Sequence, residues 1–125
     1  MERDAVIVAG FGFRASAEVS SLRDALAATG AVPTLVATAS GKEAHPALMA
    51  LATELNVPVV GVSEEKMAEQ ITPTHSAASA AAYNTGSVAE AAALFAAGRG
   101  SVLERSRCIS PDRLATCAIA KGDPA

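Results

Sequence analysis

Tryptophan is absent from this 125-residue chain, and other aromatic side chains are scarce, with one Tyr (Tyr83) and three Phe (Phe11, Phe13, Phe95). A surface that stacks unpaired bases needs more rings than that, and one that tracks phosphates needs a dense basic stripe. Basic residues are few and form no dense stripe. Residues 1–42 balance four cations against four anions, residues 43–98 hold only Lys66 against six Glu, residues 99–125 hold five cations against three anions, and the net charge is −3. A nucleic-acid partner is therefore excluded. Cysteine is limited to Cys108 and Cys117, without CxxC spacing, and the two histidines, His45 and His75, lie far apart, so no metal site is expected. No stretch approaches the roughly 20 apolar residues that span a bilayer, and Met1-Glu2-Arg3-Asp4 does not begin a signal peptide. The chain reads as cytoplasmic, with no membrane partner.

Half of the residues are apolar and only 18% are charged, which excludes a disordered chain and suits one domain over residues 1–125 with a single core. Much of the apolar fraction comes from 30 alanines, so the core is built from small side chains. Alanine loses no side-chain entropy in a helix, and the Ala-rich segments should be helices packed closely on a flat sheet.

Ala5-Val6-Ile7-Val8-Ala9 is a continuous apolar run that suits a strand buried on both faces, stopped by Gly10. A glycine turn follows, then a helix over residues 17–29 with Ser16 as N-cap and Gly30 as C-terminal stop. The outline repeats with a strand from Pro33 to Thr38 and a helix from Pro46 to about Leu55, where His45 is a helix-start residue. A third strand, Val57 to Val62, precedes a Ser63-capped helix over residues 64–69. Residues 71–86 read as an irregular stretch with a short helical piece around Ser76 to Ala82, and a loop of that length in a compact domain points to function. Ser87-Val88-Ala89-Glu90 matches a capping box that starts a helix running to Ala97. Strands over Ser101–Ile109 and Leu114–Lys121 close the chain around the turn Ser110-Pro111-Asp112-Arg113. The expected fold is α/β, a mixed and mainly parallel sheet with helices on both faces and a C-terminal β-hairpin.

Three segments could carry chemistry. Gly10-Phe11-Gly12-Phe13-Arg14 joins a strand to a helix, where backbone N–H groups and the helix dipole attract anions and the Arg14 guanidinium suits carboxylates or phosphates. With Ala15 it formally matches the G-x-G-x-x-A dinucleotide fingerprint, but the acidic residue required about 20 positions on is missing. The loop after the second strand offers Thr38, Ser40 and Lys42 at the neighbouring strand end. Thr72-Pro73-Thr74 and Thr85-Gly86-Ser87 bring more hydroxyls and a second helix N-terminus, and Glu90 is accounted for by its cap. The candidate binding set is thus Gly10, Gly12, Phe13, Arg14, Thr38, Ser40, Lys42, Thr72, Thr74, Thr85, Gly86 and Ser87, with no catalytic residue identifiable and no cofactor expected. Cys108 and Cys117 read as buried thiols on neighbouring strands; one register would face them toward each other, and the cytosol would keep them reduced.

Val8-Ala9-Gly10-Phe11-Gly12-Phe13-Arg14, the Ala37-to-Lys42 loop followed by Pro46-Ala47-Leu48, Ala52-Thr53-Glu54-Leu55-Asn56-Val57-Pro58, Thr72-Pro73-Thr74 and Gly86-Ser87-Val88-Ala89-Glu90-Ala91-Ala92-Ala93-Leu94 occur in the order seen in a known family. Across residues 6–121 the chain resembles the cobalamin-biosynthesis family that unites CobE with the C-terminal domain of CbiG. It departs after Arg14, where Ala15-Ser16 stand in place of the second basic residue and glycine common in that family. The resemblance implies a role in corrin-ring assembly, either in a reaction related to cobalt-precorrin-5A hydrolysis or in carrying an intermediate. Expected partners are a precorrin or corrinoid and other corrin-pathway enzymes. Two alternatives are a small NAD(P)-dependent oxidoreductase and a non-catalytic interaction module, the latter a homodimer through its Ala-rich helices.

Overall fold

The computed structural model describes residues 6–72, 87–98 and 100–122. Five strands form one mixed sheet: β1 (Val6–Phe13), β2 (Leu35–Ala39), β3 (Val59–Val62), β4 (Val102–Ile109) and β5 (Ala115–Gly122). Their spatial order is β3-β2-β1-β5-β4, with β1, β2 and β3 parallel and β5 antiparallel to both β1 and β4. The helices are α1 (Val19–Thr29), α2 (Pro46–Leu55), α3 (Glu64–Ala68) and α4 (Val88–Ala97). This is the mixed α/β sheet with a terminal hairpin that the strand and helix periodicities predict.

The alternation of side chains along β1 sends Ala9 and Phe11 to one face and Val8, Gly10 and Gly12 to the other. On the first face, Phe11, Val36 and Ile119 pack under Leu22 and Leu26 of α1 and Leu48 and Leu51 of α2. On the second, Val8, Ala37 and Ala120 meet Ala92 and Ala93 of α4 and Met67 of α3. Covering a strand on both faces explains why β1 carries no charged residue.

Several boundaries differ from the sequence reading. Gly10 does not stop β1, which runs to Phe13 because Gly10 and Gly12 pair with Ala118 and Thr116 of β5. With the strand longer, the turn moves downstream, and Glu18 replaces Ser16 as the N-cap of α1. The Ser21 N–H donates to the Glu18 carbonyl at 2.9 Å, and the Ser21 hydroxyl accepts the Glu18 N–H at 3.2 Å. β2 and β3 each begin two residues later than expected, at Leu35 and Val59. Gly30 closes α1 in the left-handed region as predicted, and His45, Ser63 and Ser87 cap the helices they precede. The helical piece expected around Ser76 to Ala82 lies outside the described residues.

Candidate functional site

Because β1, β2 and β3 are parallel, their carboxyl ends, Phe13, Ala39 and Val62, share one edge of the sheet. The β4–β5 turn reaches the same edge, since Phe13 pairs with Ala115 and Ile109 with Thr116. The Arg14 N–H donates to the Leu114 carbonyl at 2.9 Å, joining the first loop to that turn, and the Ser40 N–H donates to Val62 at 2.8 Å. α4 also starts here: a Cβ built on Gly12 would lie 3.4 Å from Val88 Cβ and 3.6 Å from Ala89 N. Ligands of open α/β sheets bind beyond such carboxyl edges.

Two side chains of the β2–α2 loop grip the end of β1. Lys42 Nζ donates to the Phe13 carbonyl at 2.6 Å and lies 4.8 Å from the centre of the Phe13 ring. Partial burial lowers the Lys42 pKa. His45 meets the same ring edge-on, with centroids 5.0 Å apart. Its Nδ1 accepts the Ala47 N–H at 3.1 Å and its Nε2 is 2.9 Å from the Ala15 carbonyl. An oxygen acceptor on one nitrogen and a donor on the other assign the neutral tautomer with hydrogen on Nε2. Between these anchors Arg14 is exposed, and its side chain has no hydrogen bond or ion pair among the described residues.

The other predicted positions divide. Ser40 is exposed at the rim. Gly10 and Gly12 lie inside β1 and face α4, not in a phosphate-cradling turn. A Cβ on Gly10 would sit 2.7 Å from Ala93 N and closer still to the Ala89 carbonyl oxygen. Thr38 is buried and donates to the Phe11 carbonyl at 2.8 Å, tying β2 to β1. Thr72 is buried just after α3, and Ser87 is buried with its hydroxyl accepting the Glu90 N–H at 3.3 Å. Thr74, Thr85 and Gly86 lie outside the described residues.

Residue-level reading missed three features. Asp112 Oδ1 accepts from the Ser110 hydroxyl at 2.6 Å and from Leu114 N–H at 3.0 Å, while Oδ2 accepts from the Ser21 hydroxyl, so the β4–β5 turn is pinned to the first turn of α1. Serine two residues before aspartate in a proline turn was the available signal. Arg113 follows in the left-handed region with φ +62° and is exposed beside Leu114. Glu90 goes beyond its cap: it is fully buried and its Oε2 accepts the Arg107 N–H of β4 at 2.8 Å. That contact links residues 17 apart through a strand irregularity, which no local pattern announces.

An open groove of about 720 Å³ runs along α2 and the start of β3, lined by Met49, Ala52, Asn56, Val57 and Pro58 with Glu43 at one end. It contains one carboxylate and no basic side chain, so anionic ligands are better served at the Arg14 edge. Among the described residues no helix is long and apolar enough to cross a membrane.

The family model described as "Cobalamin synthesis G C-terminus" matches residues 7–120. No curated protein matches the chain at a significant level. The chain is similar to the solved structure of CobE, a protein from the cobalamin (vitamin B12) biosynthetic pathway, with 28% identity over 97% of this chain and 93% of that one, TM-score 0.82. It is also similar to the cobalamin biosynthesis protein chiG from Agrobacterium tumefaciens str. C58, with 30% identity over 96% and 100% of the two chains and TM-score 0.70. A putative cobalamin biosynthesis protein G homolog from Sulfolobus solfataricus shares the fold at TM-score 0.70 and 23% identity; the match covers 97% of this chain and 38% of that one. A family match across nearly the whole sheet, from the second residue of β1 through the α4 segment and into β5, makes this chain a member of the cobalamin synthesis G C-terminal family.

Proposed function

We propose that this chain works in the cytoplasm as a corrin-pathway protein that binds a precorrin or corrinoid intermediate at the carboxyl edge of its sheet, with Arg14 as the principal contact. Corrin precursors are large rings fringed with carboxylates, and a guanidinium offers those groups a planar fork of donors. The observation that carries the reading is Arg14, exposed and without a side-chain partner among the described residues, held between the Lys42–Phe13–His45 cluster and the β4–β5 turn. The Lys42 ammonium adds positive charge at the same strand end, and Ser40 adds a hydroxyl. Both nitrogens of His45 are engaged by backbone groups, which favours binding and handing on an intermediate over bond cleavage by this imidazole. The dinucleotide alternative gains no support, since the fingerprint glycines are covered by α4.

Thermal unfolding in the presence of hydrogenobyrinic acid, a corrinoid with free carboxylates, tests this. At 100 times its dissociation constant such a ligand stabilises the native state by about 2.7 kcal/mol. Arg14→Ala should abolish most of the shift, and added salt should weaken it. An equal shift in Arg14→Ala removes this edge from the reading, and a shift with NADPH instead restores the dinucleotide alternative.

A further inference from the structure

Cys108 and Cys117 lie directly opposite each other on the antiparallel pair β4–β5, and both are free thiols. Opposed residues of such a pair project to one face with Cα atoms about 4.5–5.5 Å apart, within the span of a disulfide. Their surroundings differ. Cys117 is fully buried in the cluster with Leu22, Val36 and Ile119. Cys108 is half-buried on the edge strand, with its Sγ 3.9 Å from Arg105 Nη2 and 3.7 Å from the Ser106 carbonyl. Burial pushes the Cys117 thiol well above its usual pKa, and the neighbouring Cys108 adds to the shift. Cys117 is therefore the slower nucleophile, and Cys108, the more accessible of the two, meets an oxidant first.

The ladder also has room to adjust on the Cys108 side. Its register shifts between Leu103 and Arg105 and again between Arg105 and Cys108. Opposed Cβ atoms stand roughly 5 Å apart in a regular ladder and about 3.8 Å apart in a disulfide, so closure needs movement on the order of 1 Å. An irregular edge strand yields to that more easily than β5, which is paired on both sides.

We propose that Cys108 and Cys117 form a reversible cross-strand disulfide when the protein meets a peroxide, Cys108 attacking and Cys117 resolving. The Cys108 sulfur attacks the O–O bond of hydrogen peroxide, giving a sulfenic acid and one water. The Cys117 sulfur then displaces the hydroxyl, which leaves as a second water as the S–S bond forms. The thiol pair loses two electrons and two protons, and the peroxide takes them up. The bond would fasten the irregular strand to β5 one residue from Arg107, whose N–H carries the contact to Glu90.

Purified protein treated with a modest excess of hydrogen peroxide, then analysed without reductant by thiol titration and intact mass, decides this. The expected result is loss of both free thiols and of two hydrogens in a monomeric chain, reversed by dithiothreitol. Cys108→Ser should leave Cys117 unmodified under the same treatment. Retention of both thiols, overoxidation of Cys108 with Cys117 still free, or a disulfide-linked dimer overturns the proposal. Oxidation of Cys117 in Cys108→Ser at the wild-type rate overturns the attacking role of Cys108.

Discussion

At Gly10 a hydrogen is the largest substituent the fold admits. The backbone of α4 crosses β1 there so closely that a methyl group would overlap the Ala89 carbonyl oxygen and Ala93 N. The positions are backbone atoms in regular elements, so neither can move aside alone. Gly10→Ala should lower stability by about 1–3 kcal/mol in urea denaturation, the usual cost of overpacking. Gly30, where an added Cβ would meet nothing within 4 Å, gives the contrasting case: its φ of +73° makes Gly30→Ala a conformational penalty and not a clash. Lys42 is decided by a different balance. Burial disfavours its ammonium, yet the Phe13 carbonyl and ring hold it. Lys42→Met keeps the apolar stem and removes the charge, so it should weaken corrinoid binding while leaving the far-ultraviolet circular dichroism spectrum unchanged. Isothermal titration beside Arg14→Ala measures this.

Among the elements, α1 depends on its first turn more than on its length. Glu18 and Ser21 satisfy each other's backbone donors, and the Ser21 hydroxyl then donates to Asp112 across the molecule. Ser21→Ala breaks both links and should cost about 0.5–2 kcal/mol, the range for a lost cap. Asp112 makes the same joint pH-dependent. The Ser110 hydroxyl first, then the Ser21 hydroxyl and the Leu114 N–H, hold its carboxyl below the usual aspartate value. A depressed native pKa gives stability that is present above the unfolded value of about 3.9 and is lost as pH falls through the native one. Asp112→Asn should therefore unfold at lower urea concentration at neutral pH, and its deficit against wild type should shrink as the pH drops below about 4. A deficit constant with pH would mean that the carboxylate charge is irrelevant to the joint.

For the whole molecule, α4 is the part that binds the two halves of the sheet together. It lies over β1 and over the end of β5, where a Cβ on Gly122 would meet Ala97. Through Glu90 it also reaches β4. Glu90→Ala removes the acceptor of a partly buried N–H and should cost about 1–3 kcal/mol, whereas Glu90→Gln, which keeps an acceptor, should cost less. Chemical denaturation of the two variants separates a hydrogen-bond role from a need for charge. Small residues on both sides of this contact let a helix of ten residues, most of them alanine, cover the sheet at close range.

Much of this architecture could be read from the chain. The apolar run of β1, Pro46 after the His45 cap, the Ser63 and Ser87 caps and Gly30 are local signals, and a few neighbouring residues suffice to specify them. Arg14 and Lys42 were legible as cations in loops after successive parallel strands, because that connectivity brings the loops to one edge. The purpose of Gly10 and Gly12 was not, since a glycine needed for a turn and one needed for helix packing look alike until the helix is in position. Nor was the retirement of Thr38 into the sheet, the reach of Asp112 to Ser21, or the register that opposes Cys108 to Cys117. The sequence determined the order and kind of the elements and the charge at their ends, because hydrophobic period and capping act over a few residues. Only the tertiary structure decided which polar groups are consumed in holding the elements together and which remain at the surface to meet a ligand, because that depends on contacts between segments distant in the chain.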